Sequence, residues 1–385
     1  MARHTERIQL PAMSPGTERS LVVHRYGTPG AGPKAYFHAA LHADELPAIM
    51  ALHHLVPMLE KAQAEGRIRG EITVVPVANP IGIGQVVGSY FTGRFDLATR
   101  ENFNRGFAAE WSQLAERVKD RLGPDPVANR ALIRAAAVAY CAEQAPETEL
   151  EALRWKLLEL SVDADYVFDC HCAAESLLYL VVYKECLDIG GRDLADAIGS
   201  DATFIMDWYA DKRTFMTTVA ALWPAVRAAA PAASAQAVPQ GCVSATLEYR
   251  GRLDVDDRLG ADDADRLYRF LVRKGVIDGD PGPVPPPVRP PVPTSHMDKG
   301  YALHAGIVSY ARRIGERVRV GDVVAHVIDP YGTDPAQSRH PVTAPCDGYL
   351  YMFRSDRIAR PGATVFWMVA DAPQPRRAGR APQED

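Results

Sequence analysis

The chain has 385 residues, enough for two or three domains of ordinary size. Its 47% hydrophobic and 24% charged residues are those of a globular protein, and 43 basic against 48 acidic residues leave a net charge of −5. That balance lacks the basic excess of a nucleic-acid binder, and no run of about 18 apolar residues is available to span a membrane.

The amino terminus, MARHTERIQLPAM, carries Arg3, Glu6 and Arg7 without an apolar core, which argues against a secretory signal. Buried strands are predicted at 34–41 (KAYFHAAL) and 72–78 (ITVVPVA), and a helix at 46–61. Pro47 is tolerated in that helix's first turn, whereas Pro57 should kink or end it. Several amphipathic helices are expected within 108–161, around the breaker GPDP. Further strands are predicted at 166–172 (YVFDCHC), 177–183 (LLYLVVY) and 243–249 (VSATLEY). The alanine-rich stretch 217–235 is interrupted by Pro224, Arg227 and Pro231. Strand–helix alternation of this kind predicts an open α/β sheet with helices on both faces. Residues 281–294 contain eight prolines in fourteen positions and read as a semi-rigid spacer. They separate a large part, 1–280, from a small part, 295–372, whose short alternating runs and glycine turns predict an all-β unit. The tail, 373–385, has no periodicity and is expected to be disordered. Six cysteines are too few for a disulfide scaffold in a chain this long, so reduced thiols and a cytoplasmic location are expected.

Four clusters of polar residues fall at the ends of predicted buried strands, where open α/β sheets place their sites. The first is His42–Ala43–Asp44–Glu45: an imidazole and a carboxylate three residues apart can converge on one cation, or simply decorate a helix start. The second is Asp169–Cys170–His171–Cys172. His171 is either a third ligand or a buried histidine satisfied by the backbone. Cys170 and Cys172 point to the opposite face and read as core thiols. The third is Glu248, which interrupts an apolar strand end, where burial is costly unless the carboxylate is paired or functional. Glu175 and Glu185 are weaker rivals as a base, and Glu175 is near enough to His171 to support it instead. The fourth follows Asn79–Pro80 and contains Arg94, Asn104 and Arg105. Guanidinium groups there either clamp a carboxylate and stabilise an oxyanion or are solvated surface charges.

In this order, HADE, NP, the spacing from Arg94 to Asn104–Arg105, DCH and TLE resemble the succinylglutamate desuccinylase/aspartoacylase family, a branch of the zinc carboxypeptidase superfamily. The resemblance covers about residues 30–255. It implies a zinc-carboxypeptidase-like mixed sheet flanked by helices, with a small C-terminal β-barrel-like accessory domain. It also implies one Zn2+ per chain held by His42, Glu45 and His171. Glu248 then corresponds to the catalytic glutamate, Arg94 to the carbonyl-polarising arginine, and Asn104 with Arg105 to the substrate-carboxylate clamp. Where the family has glycines, this chain has Phe37–His38–Ala39–Ala40–Leu41 and Ala43. The long segment before DCH is expected to cap or reshape the pocket. His38 shares a strand face with His42 but lies about 13 Å away along it, too far to chelate with it.

The activity implied is deacylation of an N-acyl amino acid or a related small carboxylate-bearing amide. Alternatives are a metallocarboxypeptidase acting on short peptides, a non-catalytic binding protein of the same fold, and, least favoured, a cysteine hydrolase. Neither a nucleic-acid nor a membrane partner is expected, and a homo-oligomer is left open. The small part resembles a biotinyl/lipoyl-type barrel in the phrases GERVRVGD and APCDGYL. The turn between them, DPYGTDPAQSRHPVTAP, lacks the lysine a carrier needs. Shaping the active-site entrance or an oligomer contact is therefore the expected role.

Overall fold

The computed structural model describes residues 4–206 and 213–374. Strands β1 (His4–Gln9) and β2 (Ser20–Gly27) form an antiparallel pair at one edge of the main sheet. Next come β3 (Lys34–Ala39), helix α1 (Pro47–Ala64) and β4 (Glu71–Val75), then a two-residue hairpin of β5 (Val86–Val87) and β6 (Tyr90–Phe91). Three helices follow: α2 (Trp111–Val118), α3 (Pro126–Ala142) and α4 (Glu149–Ser161). Thr148 and Glu151 close a reciprocal cap at the start of α4. Strands β7 (Tyr166–Ala173), β8 (Glu175–Ser176) and β9 (Tyr179–Tyr183) lead to α5 (Lys184–Cys186) and α6 (Arg192–Ile198). The large part ends with β10 (Ala202–Met206), α7 (Phe215–Ala229), α8 (Ala232–Ala235), β11 (Val243–Gly251) and α9 (Asp257–Arg273).

The main sheet has the order β1-β2-β4-β3-β7-β11-β9-β10-β12, where β12 is Val292–Pro293. Its centre is parallel, β4, β3, β7 and β11 running together, while β2 is antiparallel to both its neighbours and β9 is antiparallel to β11 but parallel to β10. Strands β3 and β4 are buried on both faces, as a sheet between two helical layers requires. One layer packs α1, α6 and α9 against Phe37, Phe168, Cys170 and Leu247. The other packs α2, α3, α4 and α7 against Tyr36 and Val167. The predicted mixed α/β sheet with helices on both faces is thus present.

Two local expectations are refined. Helix α1 runs through Pro57 without ending. The ring lies on the solvent-facing side, where water can solvate the carbonyl it frees, and buried Leu52, Leu55 and Leu59 hold the helix to the sheet. The proline-rich stretch is not wholly a spacer: Val292 and Pro293 form β12, parallel to β10, at the sheet edge that tolerates proline.

The C-terminal unit is β-rich: β13 (Met297–Tyr301), β14 (Gly306–Tyr310), β15 (Arg317–Val318), β16 (Val323–Ile328), β17 (Arg339–Thr343), β18 (Gly348–Phe353), β19 (Ile358–Ala359) and β20 (Thr364–Ala370). Two sheets, β13-β20-β18-β15 and β17-β16-β14-β19, enclose a core including Val308, Val324, Leu350 and Phe366. Strand β8 of the large part pairs with β18, so one sheet crosses between the two units. Residues 375–385 of the expected disordered tail lie outside the described residues, whereas the Gln374 N–H donates to the Ser295 carbonyl at 2.7 Å. No helix among the described residues is long and apolar enough to cross a membrane.

Candidate active site

Pleating of the three central strands gathers the polar residues on one face. Parallel register pairs His38 of β3 with Asp169 of β7, Asp169 with Thr246 of β11, and His171 with Glu248. Directly paired residues on adjacent strands project to the same side, about 4.8 Å apart. Tyr36, His38, Asp169, His171, Thr246 and Glu248 therefore form a polar stripe towards the strands' carboxyl ends. Cys170 and Cys172 project to the opposite face among apolar side chains. Burial raises both thiols well above the ordinary cysteine range, which removes them as nucleophiles.

The turn after β3 brings His42 and Glu45 to the end of that stripe. His42 Nδ1 lies 3.0 Å from Glu45 Oε1, and His171 Nδ1 lies 2.7 Å from Glu45 Oε2. One ligand atom from each of the three residues fits within 4.8 Å of the others, and all three residues are buried. Each imidazole is engaged from behind: His42 Nε2 lies 2.8 Å from the Asn102 amide oxygen, and His171 Nε2 lies 2.6 Å from Asp169 Oδ1. Such partners favour a proton on Nε2 and turn Nδ1 towards the centre, the arrangement metal-bound histidines use. Two nitrogens, a carboxylate and backing groups suit a divalent cation of the zinc type.

The electrostatics of the site follow from burial and from its close charges. Burial and the Arg94 guanidinium lower the His42 pKa, favouring the neutral imidazole that serves as a ligand. Burial alone would raise Glu45, but the two imidazoles outweigh it and hold its carboxyl well below the usual range. Burial would likewise lower His171, yet Asp169 and Glu45 on either side hold it well above the ordinary histidine value. His171 thus stands between two buried carboxylates, a pairing that a bound dication would take over from its proton.

The metal-site turn carries local strain. Ala40 has φ 58°, a left-handed conformation that is costly for any residue with a Cβ. The turn is braced from outside: the Asn79 amide donates to the Leu41 carbonyl at 2.9 Å, and the Ala43 N–H donates to the Gly93 carbonyl at 2.8 Å. A Cβ at Gly93 would lie 2.3 Å from the Asp44 nitrogen, so only glycine permits that approach.

Arg94, which follows, donates to Glu45 Oε1 at 2.9 Å. Asn104 is turned inward. Its oxygen accepts the Phe215 N–H at 2.8 Å, and its amide nitrogen faces His171 Nε2 at 3.1 Å and Asp169 Oδ2 at 3.4 Å. Arg105 donates to the Asn104 carbonyl at 2.7 Å. No residue of the long helical segment 108–161 lines the cavity; instead Arg154 of α4 props the loop, donating to Glu101 at 2.8 Å and to the Asn102 carbonyl at 3.4 Å. The weaker rivals are elsewhere. Glu175 is paired with Arg357 at 2.6 Å rather than with His171, and Glu185 is exposed on α5.

A cavity of about 280 Å³ opens over this arrangement, near the lower end for small-molecule pockets. His42, Glu45, His171, Arg94, Asn104, Arg105 and Glu248 all line it. Its wall also includes Met297, Tyr351, Met352, Arg354 and Trp367 of the C-terminal unit. Sequence reading expected the C-terminal unit either to shape the site's entrance or to make an oligomer contact, without naming these residues, and it missed the part played by His38, which lies 2.7 Å from Asp169 Oδ1 and 3.1 Å from the Tyr36 hydroxyl. The alternation Tyr36-x-His38, beside Asp169-x-His171, was the available signal for that part.

Residues 31–226 match the succinylglutamate desuccinylase/aspartoacylase catalytic domain. No curated protein matches the chain. Among solved structures, a Shewanella frigidimarina NCIMB 400 protein assigned to succinylglutamate desuccinylase/aspartoacylase superposes with a TM-score of 0.80 at 20% identity, covering 96% of this chain and 97% of that one. A family protein from Shewanella amazonensis SB2B gives a TM-score of 0.80 at 23% identity, covering 96% and 99%. The product-bound ectoine utilization protein EutE (DoeB) from Ruegeria pomeroyi gives 0.66 at 17% identity, covering 96% and 95%. These likenesses extend the shared fold through the C-terminal unit.

Proposed function

The chain belongs to the succinylglutamate desuccinylase/aspartoacylase family, and on that premise we propose that it is a zinc-dependent amidohydrolase removing the acyl group from an N-acyl amino acid or a related carboxylate-bearing amide. The observation that carries this reading is the convergence of His42, Glu45 and His171 beside Glu248, whose strand position is in register with His171. His42, Glu45 and His171 would hold the cation. When bound, it would supply Lewis acidity, polarising the scissile carbonyl and acidifying a water.

The chain's own groups do the rest. Glu248 accepts the proton of the attacking water and returns it to the leaving nitrogen. Arg94 donates to the oxygen on which negative charge develops, a contribution of about 3–4 kcal/mol for a well-placed donor. Arg105 binds the substrate carboxylate, and so orients the amide, while Asn104 fixes the loop that carries it. Asp169 holds the His171 ring in place.

The test is a hydrolysis screen of the zinc-loaded protein across N-acetyl, N-succinyl and longer N-acyl amino acids, with short peptides alongside, read by amine release. Cleavage of peptides but not of acyl amino acids would favour the carboxypeptidase alternative. Glu248→Gln is expected to keep its metal and lose about 10²–10⁴-fold in turnover. His171→Ala is expected to lose the metal by elemental analysis. Near-normal turnover in the first variant, or a full complement of zinc in the second, would contradict these assignments.

A further inference from the structure

The cavity has two kinds of lining. Its charged part is the metal-site triad with Arg94 and Arg105. Its apolar part includes four of the chain's nine methionines, Met206, Met216, Met297 and Met352, together with Tyr351 and Trp367. These six come from five elements: the end of β10, the first turn of α7, and the strands β13, β18 and β20. Met297, Tyr351, Met352 and Trp367 belong to the apolar cluster that joins the two units, whereas Met206 and Met216 belong to a cluster within the large part.

The charges complete the picture. Among the described residues lining the cavity, the cations besides Arg94 and Arg105 are Arg252 and Arg354, and each faces a carboxylate: Asp44 at 2.9 Å and Asp356 at 3.6 Å. Asp356 itself lines the cavity. A substrate with a second carboxylate would therefore have to desolvate it against thioether and aromatic surface, beside an acidic side chain. An uncompensated charge in such a place is costly.

Resting on the proposed function, we propose that the substrate is an amide with one carboxylate, held by Arg105, and an apolar aliphatic or aromatic group seated on the wall supplied largely by the C-terminal unit. Dicarboxylic acyl groups such as succinyl are disfavoured there. Methionines are unbranched and polarizable, so this wall accommodates apolar groups of differing shape rather than one rigid outline. It assigns the C-terminal unit a direct part in substrate selection.

Two measurements test this together. Binding of N-hexanoyl, N-benzoyl, N-acetyl and N-succinyl derivatives of alanine and of phenylalanine to the zinc-loaded Glu248→Gln protein is followed by calorimetry, and turnover of the same compounds by the unmodified protein is followed by amine release. An apolar group, on either the acyl or the amino side, is expected to improve affinity and kcat/KM over N-succinylalanine by about tenfold or more. Met352→Gln, close in volume, is expected to reduce that preference about tenfold, and Met297→Gln gives an independent check should the first fold poorly. Tighter binding of the apolar compounds without any turnover upholds the substrate class while rejecting the hydrolase. Equal or tighter binding of N-succinylalanine, binding of none of the compounds, or a preference unmoved in a folded glutamine variant overturns the proposal.

Discussion

Asp169 receives three neighbours at once: His38 at 2.7 Å, His171 at 2.6 Å and the Asn104 amide at 3.4 Å. Burial would raise its carboxyl, but His171 and His38 outweigh burial and depress it below the ordinary aspartate value. A carboxylate depressed in the folded state stabilises the fold above its unfolded pKa of about 3.9, and that contribution is lost as pH falls through the unfolded value towards the folded one. Metal-free Asp169→Asn is thus expected to lose less stability than the parent between about pH 5 and pH 3, measured by urea unfolding. His38 is fully buried and contacts Phe215 with ring centroids 4.4 Å apart. His38→Ala removes one of the carboxylate's partners, so zinc affinity should fall about 10–100-fold, by analogy with other groups that support metal ligands. Competition against a chromogenic chelator measures it, and His38→Gln, which keeps a donor, should recover part of the loss.

At the scale of elements, the end of β11 determines where Glu248 sits. The pairing of β11 with β7 is irregular between Glu248 and Gly251, and Arg250 within that irregularity has φ 61°. Irregularities of this kind re-aim a strand end, and here the side chain of Arg250 makes a bidentate ion pair with Asp263 of α9. The pair ties the strand end to the helical layer opposite the cavity. Arg250→Ala would leave the buried Asp263 carboxylate uncompensated, at a cost of about 3 kcal/mol. Thermal unfolding should show the loss, and a smaller drop in turnover should follow from the altered strand end. A variant with unchanged stability would mean that the strand end is held by the sheet alone.

Across the whole molecule, two units share both a sheet and a core. Strand β8 pairs with β18, the Leu177 N–H donates to the Tyr351 carbonyl at 2.9 Å, and Tyr179, Phe204, Tyr351 and Trp367 pack in one cluster. Neither unit can open without exposing that surface, so calorimetry is expected to give one cooperative transition. Chelation should lower its midpoint without splitting it, since zinc at about 100 times its Kd adds about 2.7 kcal/mol. Two resolved transitions would mean that the shared strand and cluster do not couple the units.

Much of this was legible in the sequence. Buried parallel strands are recognisable as short apolar runs, and residues 34–41, 166–172 and 243–249 lie within two residues of β3, β7 and β11 at both ends. The polar residues interrupting the carboxyl ends of those runs, or following them directly, His42, Glu45, His171 and Glu248, pointed to the site because burying them needs a reason. The tertiary structure alone decided that His38 meets Asp169, 131 residues away, and that Met297, Met352 and Trp367 line the cavity. It also decided that Pro57 remains inside a helix. The division has a physical cause: apolar alternation and turn chemistry are properties of neighbours along the chain, whereas strand register and the contacts between units arise from hydrogen bonds and packing between segments that approach only once the chain has folded.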